Sequence, residues 1–119
     1  MNSRLKKLKY SPRVCEKLKQ IKQYVTREYG ADTANTVIKE MTKSVRDLQH
    51  FENKGVSVES VLGIPCEYRM LYAQHNYVFY QVKADVIKIT DIYNEKEDFM
   101  WKLFGIKTTA TETEDYWEE

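Results

Sequence analysis

Val14, Leu18, Ile21 and Val25 recur at steps of four, three and four, the spacing of one face of an α-helix. Lys17, Lys19, Lys22 and Arg27 fall between them, on other faces. Ser11-Pro12 marks the start, with a hydroxyl to cap the first turn and a proline suited to the first helical position. Gly30 marks the end. A second apolar series of the same period follows: Ala34, Val37, Ile38, Met41, Val45 and Leu48. Its expected cap is Asp32 or Thr33, and its expected end lies near Gln49 to Phe51. So short a connection makes the two helices an antiparallel hairpin.

Ahead of this pair, Leu5 to Tyr10, with Leu5, Leu8 and Tyr10 as its apolar members, reads as a strand. Behind it the period changes. Asn53-Lys54-Gly55 is a turn signal, and Val56 to Pro65 shows no period, as expected of a connecting loop. From Cys66 onward, Cys66, Tyr68, Met70 and Tyr72 alternate with Glu67, Arg69 and Leu71. His75-Asn76 suits a hairpin turn, Tyr77 to Val82 is a second strand, Lys83-Ala84-Asp85 turns again, and Val86 to Tyr93 is a third. Ile87 and Ile89 share a parity that Ile92 breaks, so a bulge near Thr90-Asp91 is needed to return all three to one side. Met100, Trp101, Leu103 and Phe104 predict a short last helix over 97–104, stopped by Gly105. The expected fold is α+β: an N-terminal strand, an antiparallel helix hairpin packed on an antiparallel β-meander, and a short C-terminal helix. It forms one domain over residues 1–106, followed by an acidic, mobile tail over 107–119, where core-forming side chains are few.

Composition narrows the class. With 42% apolar and 31% charged residues, the 119-residue chain has the make-up of a soluble globular domain. No apolar run reaches the length of a membrane span, and the polar, basic N-terminus lacks the apolar stretch of a signal peptide, so a cytoplasmic location and no membrane partner are expected. Cys15 and Cys66 stand far apart and read as free thiols; with neither a CxxC pair nor clustered histidines, no metal site is expected. The net charge of +1 hides an asymmetry. Residues 1–30 hold nine Lys/Arg against two Asp/Glu, whereas 94–119 hold three against eight. A basic start suits nucleic acid or an acidic protein partner, and the solvated face of a helix accounts for the same lysines.

Three strings, in this order, carry a resemblance. "LKYSPRVCEKLKQIKQYV", "EYRMLYAQHNYVFYQV" and "VIKITDIYNEKEDFMWKLFG" resemble the opening strand and helix, the central hairpin and the last strand of the RelE/ParE toxins of bacterial type II toxin–antitoxin systems. The likeness covers roughly residues 5 to 104 and implies a small intracellular protein bound by a cognate antitoxin. It implies one of three activities: cleavage of messenger RNA on the ribosome, as in the RelE-like branch; non-catalytic inhibition of DNA gyrase, as in the ParE-like branch; or a degenerate, non-toxic member. The first is preferred. It would be a metal-independent, cofactor-free endoribonuclease in which a base helps the 2′-OH attack phosphate, cations stabilise the phosphorane, and an acid protonates the leaving oxygen. A homo- or hetero-oligomer is compatible with all three.

For that chemistry the resemblance singles out Arg69 and Lys96 for phosphate charge, and Tyr93 or Glu95 for proton transfer. Lys54 joins Arg69 and Lys96 as an RNA contact. Each has a structural alternative. Arg69 can pair with an acid in the sheet, Tyr93 can pack at its edge, and Lys96 lacks the bidentate fork of an arginine. Glu95, Glu97 and Asp98 would repel RNA phosphate and would complement the dipole of a helix that starts there. His50 fits the end of the second helix and His75 fits turn chemistry. Tyr68, Tyr72, Tyr77 and Tyr80 suit base stacking but equally cross-strand packing.

Overall fold

The computed structural model describes residues 5–97; the short last helix expected over 97–104, all but its first residue, and the expected acidic tail lie outside the described residues. β1 (Lys7–Tyr10) leads through Ser11 into α1 (Pro12–Tyr29), and α2 (Ala31–Arg46) returns antiparallel, ending in a 3-10 turn over Asp47–Gln49. Ser11 accepts the Val14 amide on its hydroxyl at 3.1 Å, as its place before Pro12 predicts. Asp32 and Thr33 do not cap α2, which begins directly after Gly30. Gly30 is the whole connection. Its φ of 99° and ψ of 163° lie in a region open to glycine alone, so one residue reverses the chain.

The sheet has five strands in the order β1-β5-β4-β3-β2. β3 (Arg69–Ala73), β4 (Asn76–Val82) and β5 (Val86–Asn94) form the expected antiparallel meander. β1 adds to β5 in parallel, Lys7 beside Val86 and Tyr10 beside Ile89, so the sheet is mixed rather than wholly antiparallel. The segment expected to be a loop holds β2 (Val56–Ser57), antiparallel to β3, and α3 (Val58–Leu62). Elements of two and five residues are too short to show a period. Packing holds them instead: Val58 is fully buried, and the Ser57 hydroxyl accepts the Ser60 amide at 3.2 Å. The β3–β4 turn sits one residue earlier than expected, on Gln74 and His75, whose φ values of 50° and 64° are those of a tight hairpin whose twist matches the strands.

The predicted bulge is present. Phe79 faces Asp91 and Tyr80 faces Ile89, leaving Thr90 as the extra residue, its hydroxyl bonded to the Phe79 carbonyl at 3.0 Å. Ile87, Ile89 and Ile92 therefore all reach the helix-side core, together with Val14, Met41, Val45, Leu48, Leu71, Val78 and Tyr80. The opposite face is not bare. Val58, Met70, Phe79 and Tyr93 form a second core on it, flanked by Leu62, Cys66, Tyr68 and Tyr77.

The loop between α2 and β2 is held from inside. Tyr80, fully buried, donates its hydroxyl to the Glu52 carbonyl at 2.9 Å and accepts the Gly55 amide at 3.0 Å. A β-carbon at Gly55 would lie 2.6 Å from the Met70 carbonyl and 2.7 Å from the Tyr80 hydroxyl. Gly55→Ala is thus expected to lower stability by about 1–3 kcal/mol through overpacking. Gly30→Ala, with nothing within 4 Å of a β-carbon, is expected to lose a similar ~1–3 kcal/mol through backbone strain alone. Urea unfolding distinguishes the causes: Gly55→Ser should be worse than Ala, whereas at Gly30 the size of the side chain should not matter.

Candidate functional site

β1 stops pairing at Ile89, at the bulge, and α1 takes over the edge of β5 beyond it. Ser11 makes the handover, its amide bonding the Ile89 carbonyl at 3.0 Å and its hydroxyl the Thr90 carbonyl at 3.1 Å. Arg13 and Lys17, one turn apart on α1, then reach Asp91. Lys17 Nζ lies 2.7 Å from Oδ1, and Arg13 Nε lies 3.1 Å from Oδ2. Asp91 is only 5% exposed and also accepts the Ile92 amide at 2.9 Å. Lys17 closes the edge by donating to the Ile92 carbonyl at 2.8 Å, and its ammonium stands 3.7 Å from the centroid of the Tyr93 ring.

Charge and burial compete here. Burial pulls the Asp91 carboxyl upward, but hydrogen bonds from Lys17, Tyr93 and the Ile92 amide, with the Lys17 charge, leave it below its ordinary value. Tyr93 is pushed up to about 12, by burial first and then by its hydrogen bond to Asp91 and the charge there. A phenol of that acidity, 1% exposed, is a poor proton carrier near neutral pH.

A second polar group sits where β5 passes the β3–β4 turn. Tyr72 donates to Glu95 Oε1 at 2.6 Å, and His75 Nδ1 lies 3.0 Å from Oε2. The Glu95 amide donates to the His75 carbonyl at 2.9 Å, which fixes the two segments together. The Glu95 carboxyl is held below its ordinary value, chiefly by the Tyr72 hydrogen bond, with His75 and Lys96 adding to it against desolvation. Asn94 organises the next turn, accepting the Lys96 amide on its side chain at 2.9 Å.

This group forms one rim of a groove of about 890 Å³ between the helix hairpin and the end of the sheet. Ile21, Tyr24, Val25 and Val37 form the helical wall, with Ile92 and Glu95 across from them. Tyr24 and Tyr29 remain 51% and 68% exposed beside it.

The residues singled out for catalysis do not converge. Arg69 faces Tyr80 across β3–β4 and so points to the helix side, where its Nη2 donates to the Asn53 and Gly55 carbonyls at 3.2 and 2.6 Å. Tyr93 belongs to the opposite face. Glu95 lies one residue beyond the level of Ala73, roughly 17 Å along the strands from Arg69 at the usual rise per residue. Lys54 lies between the Asn53 and Gly55 whose carbonyls hold Arg69, and its ammonium is 3.5 Å from Asp47. Lys96 adjoins Glu95 alone among these candidates. His50 ends the 3-10 turn, and Tyr80 is buried, while Tyr72 and Tyr77 pair across strands with ring centroids 5.3 Å apart. Sequence reasoning missed Arg13, Lys17 and Asp91, and the pairing of His75 with Glu95. The i, i+4 spacing of Arg13 and Lys17 beside a bulge acid was the available signal.

An α-hairpin on a mixed sheet with this strand order has known relatives. The family model for the ParE toxin of type II toxin–antitoxin systems, parDE, matches residues 8–99, and the chain belongs to that family. Among solved structures it is similar to a chain from the chromosomal ParDE toxin–antitoxin system of P. aeruginosa, with a TM-score of 0.64 and 22% identity. That alignment covers 76% of this chain and 96% of the other. No curated protein sequence matches the chain.

The Asp91 cluster makes a prediction about stability. Asp91→Asn keeps an acceptor for the Ile92 amide but removes the charge that Lys17 and Arg13 surround, and is expected to cost about 1–3 kcal/mol at pH 7 by denaturant unfolding. Because the folded carboxyl sits below its unfolded value, its contribution is present above about pH 4 and is lost as pH falls through the folded value. The variant should lack that part of the acid-induced fall.

Proposed function

We infer that this chain is a toxin that acts in the cytoplasm by binding DNA gyrase, in the manner of the ParE-like branch, and not by cutting RNA. The observation that carries the reading is the separation just described. Cleavage needs cations and a proton carrier around one phosphate, but Arg69 is held under the Gly55 loop on one face and Tyr93 is locked against Asp91 on the other. Glu95 stands apart with Tyr72 and His75, and its neighbour Lys96 is the one candidate cation beside it. Membership of the ParE family supports the same target. A cognate antitoxin is the second partner, and the groove beside α1 suits an apolar segment of it. Among the described residues no helix is long and apolar enough to cross a membrane.

Induction of the chain alone in a bacterial host tests this. Growth should stop with messenger RNA intact and plasmid supercoiling altered, and the purified chain should inhibit gyrase-catalysed supercoiling. Glu95→Gln and Lys96→Ala should remain as toxic as the parent. Cut messenger RNA, abolished by Glu95→Gln, would overturn the reading and make the Tyr72, His75 and Glu95 group a proton-transfer site.

A further inference from the structure

On the side of the sheet away from the helix hairpin, α3 and the second core cover β3, β4 and the end of β5. The margin formed by β1 and the first half of β5 is different. Leu8 and Tyr10 pack on the helix-side core beside Ile87 and Ile89, so Lys7, Lys9 and Lys88 point to the opposite face. All three are exposed. Lys9 stands directly beside Lys88, and the three positions lie about 5–8 Å apart at the usual strand spacing and rise. Among the described residues no acid forms an ion pair with any of them. Asp91 is taken by Lys17 and Arg13, Glu52 by Lys6, and Glu67 by Lys83 at 2.6 Å. Asp85, exposed in the turn before β5, gives its carbonyl to the Lys7 amide, but its carboxylate pairs with none of the three.

This arrangement works against the fold, because like charges directly opposite each other on neighbouring strands destabilise the pair. Lysine on an edge strand guards against stray strand pairing, which accounts for Lys7 and Lys9. It does not account for Lys88, since β5 is an inner strand with neighbours on both sides. A polyanion laid along the margin relieves the repulsion. Its class follows from the surroundings. The neighbours of the lysines on this face, Val86 and Gln81, are partly buried, and Phe79 and Tyr93 are packed into the second core. Single strands are held by exposed rings that stack on bases, and protein partners by apolar or aromatic anchors; the margin offers neither among the described residues. Lysines alone suit a phosphate backbone, read without regard to sequence.

We propose that the face of β1 and β5 bearing Lys7, Lys9 and Lys88 docks on the phosphate backbone of duplex DNA. The choice of DNA over duplex RNA rests on the reading of gyrase, an enzyme that acts on DNA, as the target. Fluorescence anisotropy of the purified full chain with a short labelled DNA duplex, in the absence of gyrase, tests this. The logarithm of the affinity should fall against that of the salt concentration with a slope of about −3, as three phosphate contacts require. Lys7→Gln, Lys9→Gln and Lys88→Gln combined should abolish most of that slope and weaken binding roughly tenfold or more at low salt, and Lys9→Gln alone should flatten the slope by about 1. Lys19→Gln, Lys22→Gln and Lys39→Gln combined remove the same charge from exposed positions of the helix hairpin and should change neither the slope nor the circular dichroism. No binding by the parent at low salt would overturn the proposal. So would equal losses in the two triple variants, which reduce the effect to net charge, and so would tighter binding to duplex RNA or to polyglutamate, which assigns the face to another polyanion. Failure in this assay leaves inhibition of supercoiling by the parent chain in place, whereas failure of the gyrase reading abolishes that inhibition and leaves the DNA contact.

Discussion

Asp91 is an acid nearly removed from water at the point where the sheet changes partners. A carboxylate in that position is tolerable only if cations and amide donors meet it. The Ile92 amide supplies one donor from the strand itself, and the first two turns of α1 supply Lys17 and Arg13. This requirement sets the angle at which α1 leaves β1 and crosses the edge of β5. It also depends on the bulge, since the extra residue Thr90 turns Asp91 toward that edge while returning Ile92 to the core. Helix, strand switch and both cores meet at one ion cluster. Its stabilising charge pairs are partly open to solvent on the Arg13 side, so the cluster specifies geometry more than it adds stability.

The two faces of the sheet divide the work. The helix side carries the larger core and, through Tyr80 and Arg69, holds the loop before β2 by its carbonyls. The other side is closed by α3 and the aromatic group around Phe79 and Tyr93, whose rings meet edge to face with centroids 6.0 Å apart. Among the described residues, what stays open is the lysine margin of β1 and β5 on that side and the end of the sheet, where the groove and the Tyr72, His75 and Glu95 group lie.

Much of this was legible in the chain because the relevant signals are periodic. Four-residue and three-residue steps in α1 and α2 gave the hairpin, and the parity break at Ile92 required the bulge. Two kinds of feature left no such signal. β2 and α3 are shorter than any period and exist because Val58 and Ser57 find tertiary partners. The parallel pairing of β1 depends on which edge of the meander remains vacant, and no local pattern records that. The site was harder still. Arg69, Tyr93 and Glu95 were chosen by likeness to a family, but the face on which each points follows from register, and register depends on the turn at Gln74-His75 and on Thr90.

The pairing of β1 with β5 joins the two ends of the described fold: Lys7 lies beside Val86, and Ser11 bonds the Thr90 carbonyl across 79 residues of sequence. Such a contact closes nearly the longest loop the domain contains. During synthesis β1 and α1 emerge first and wait, with Lys17 and Arg13 lacking their acid, until β5 leaves the ribosome. The edge at which α1 guards β5 is thus completed only once β5 is made, so a chain cut before β5 lacks that groove wall.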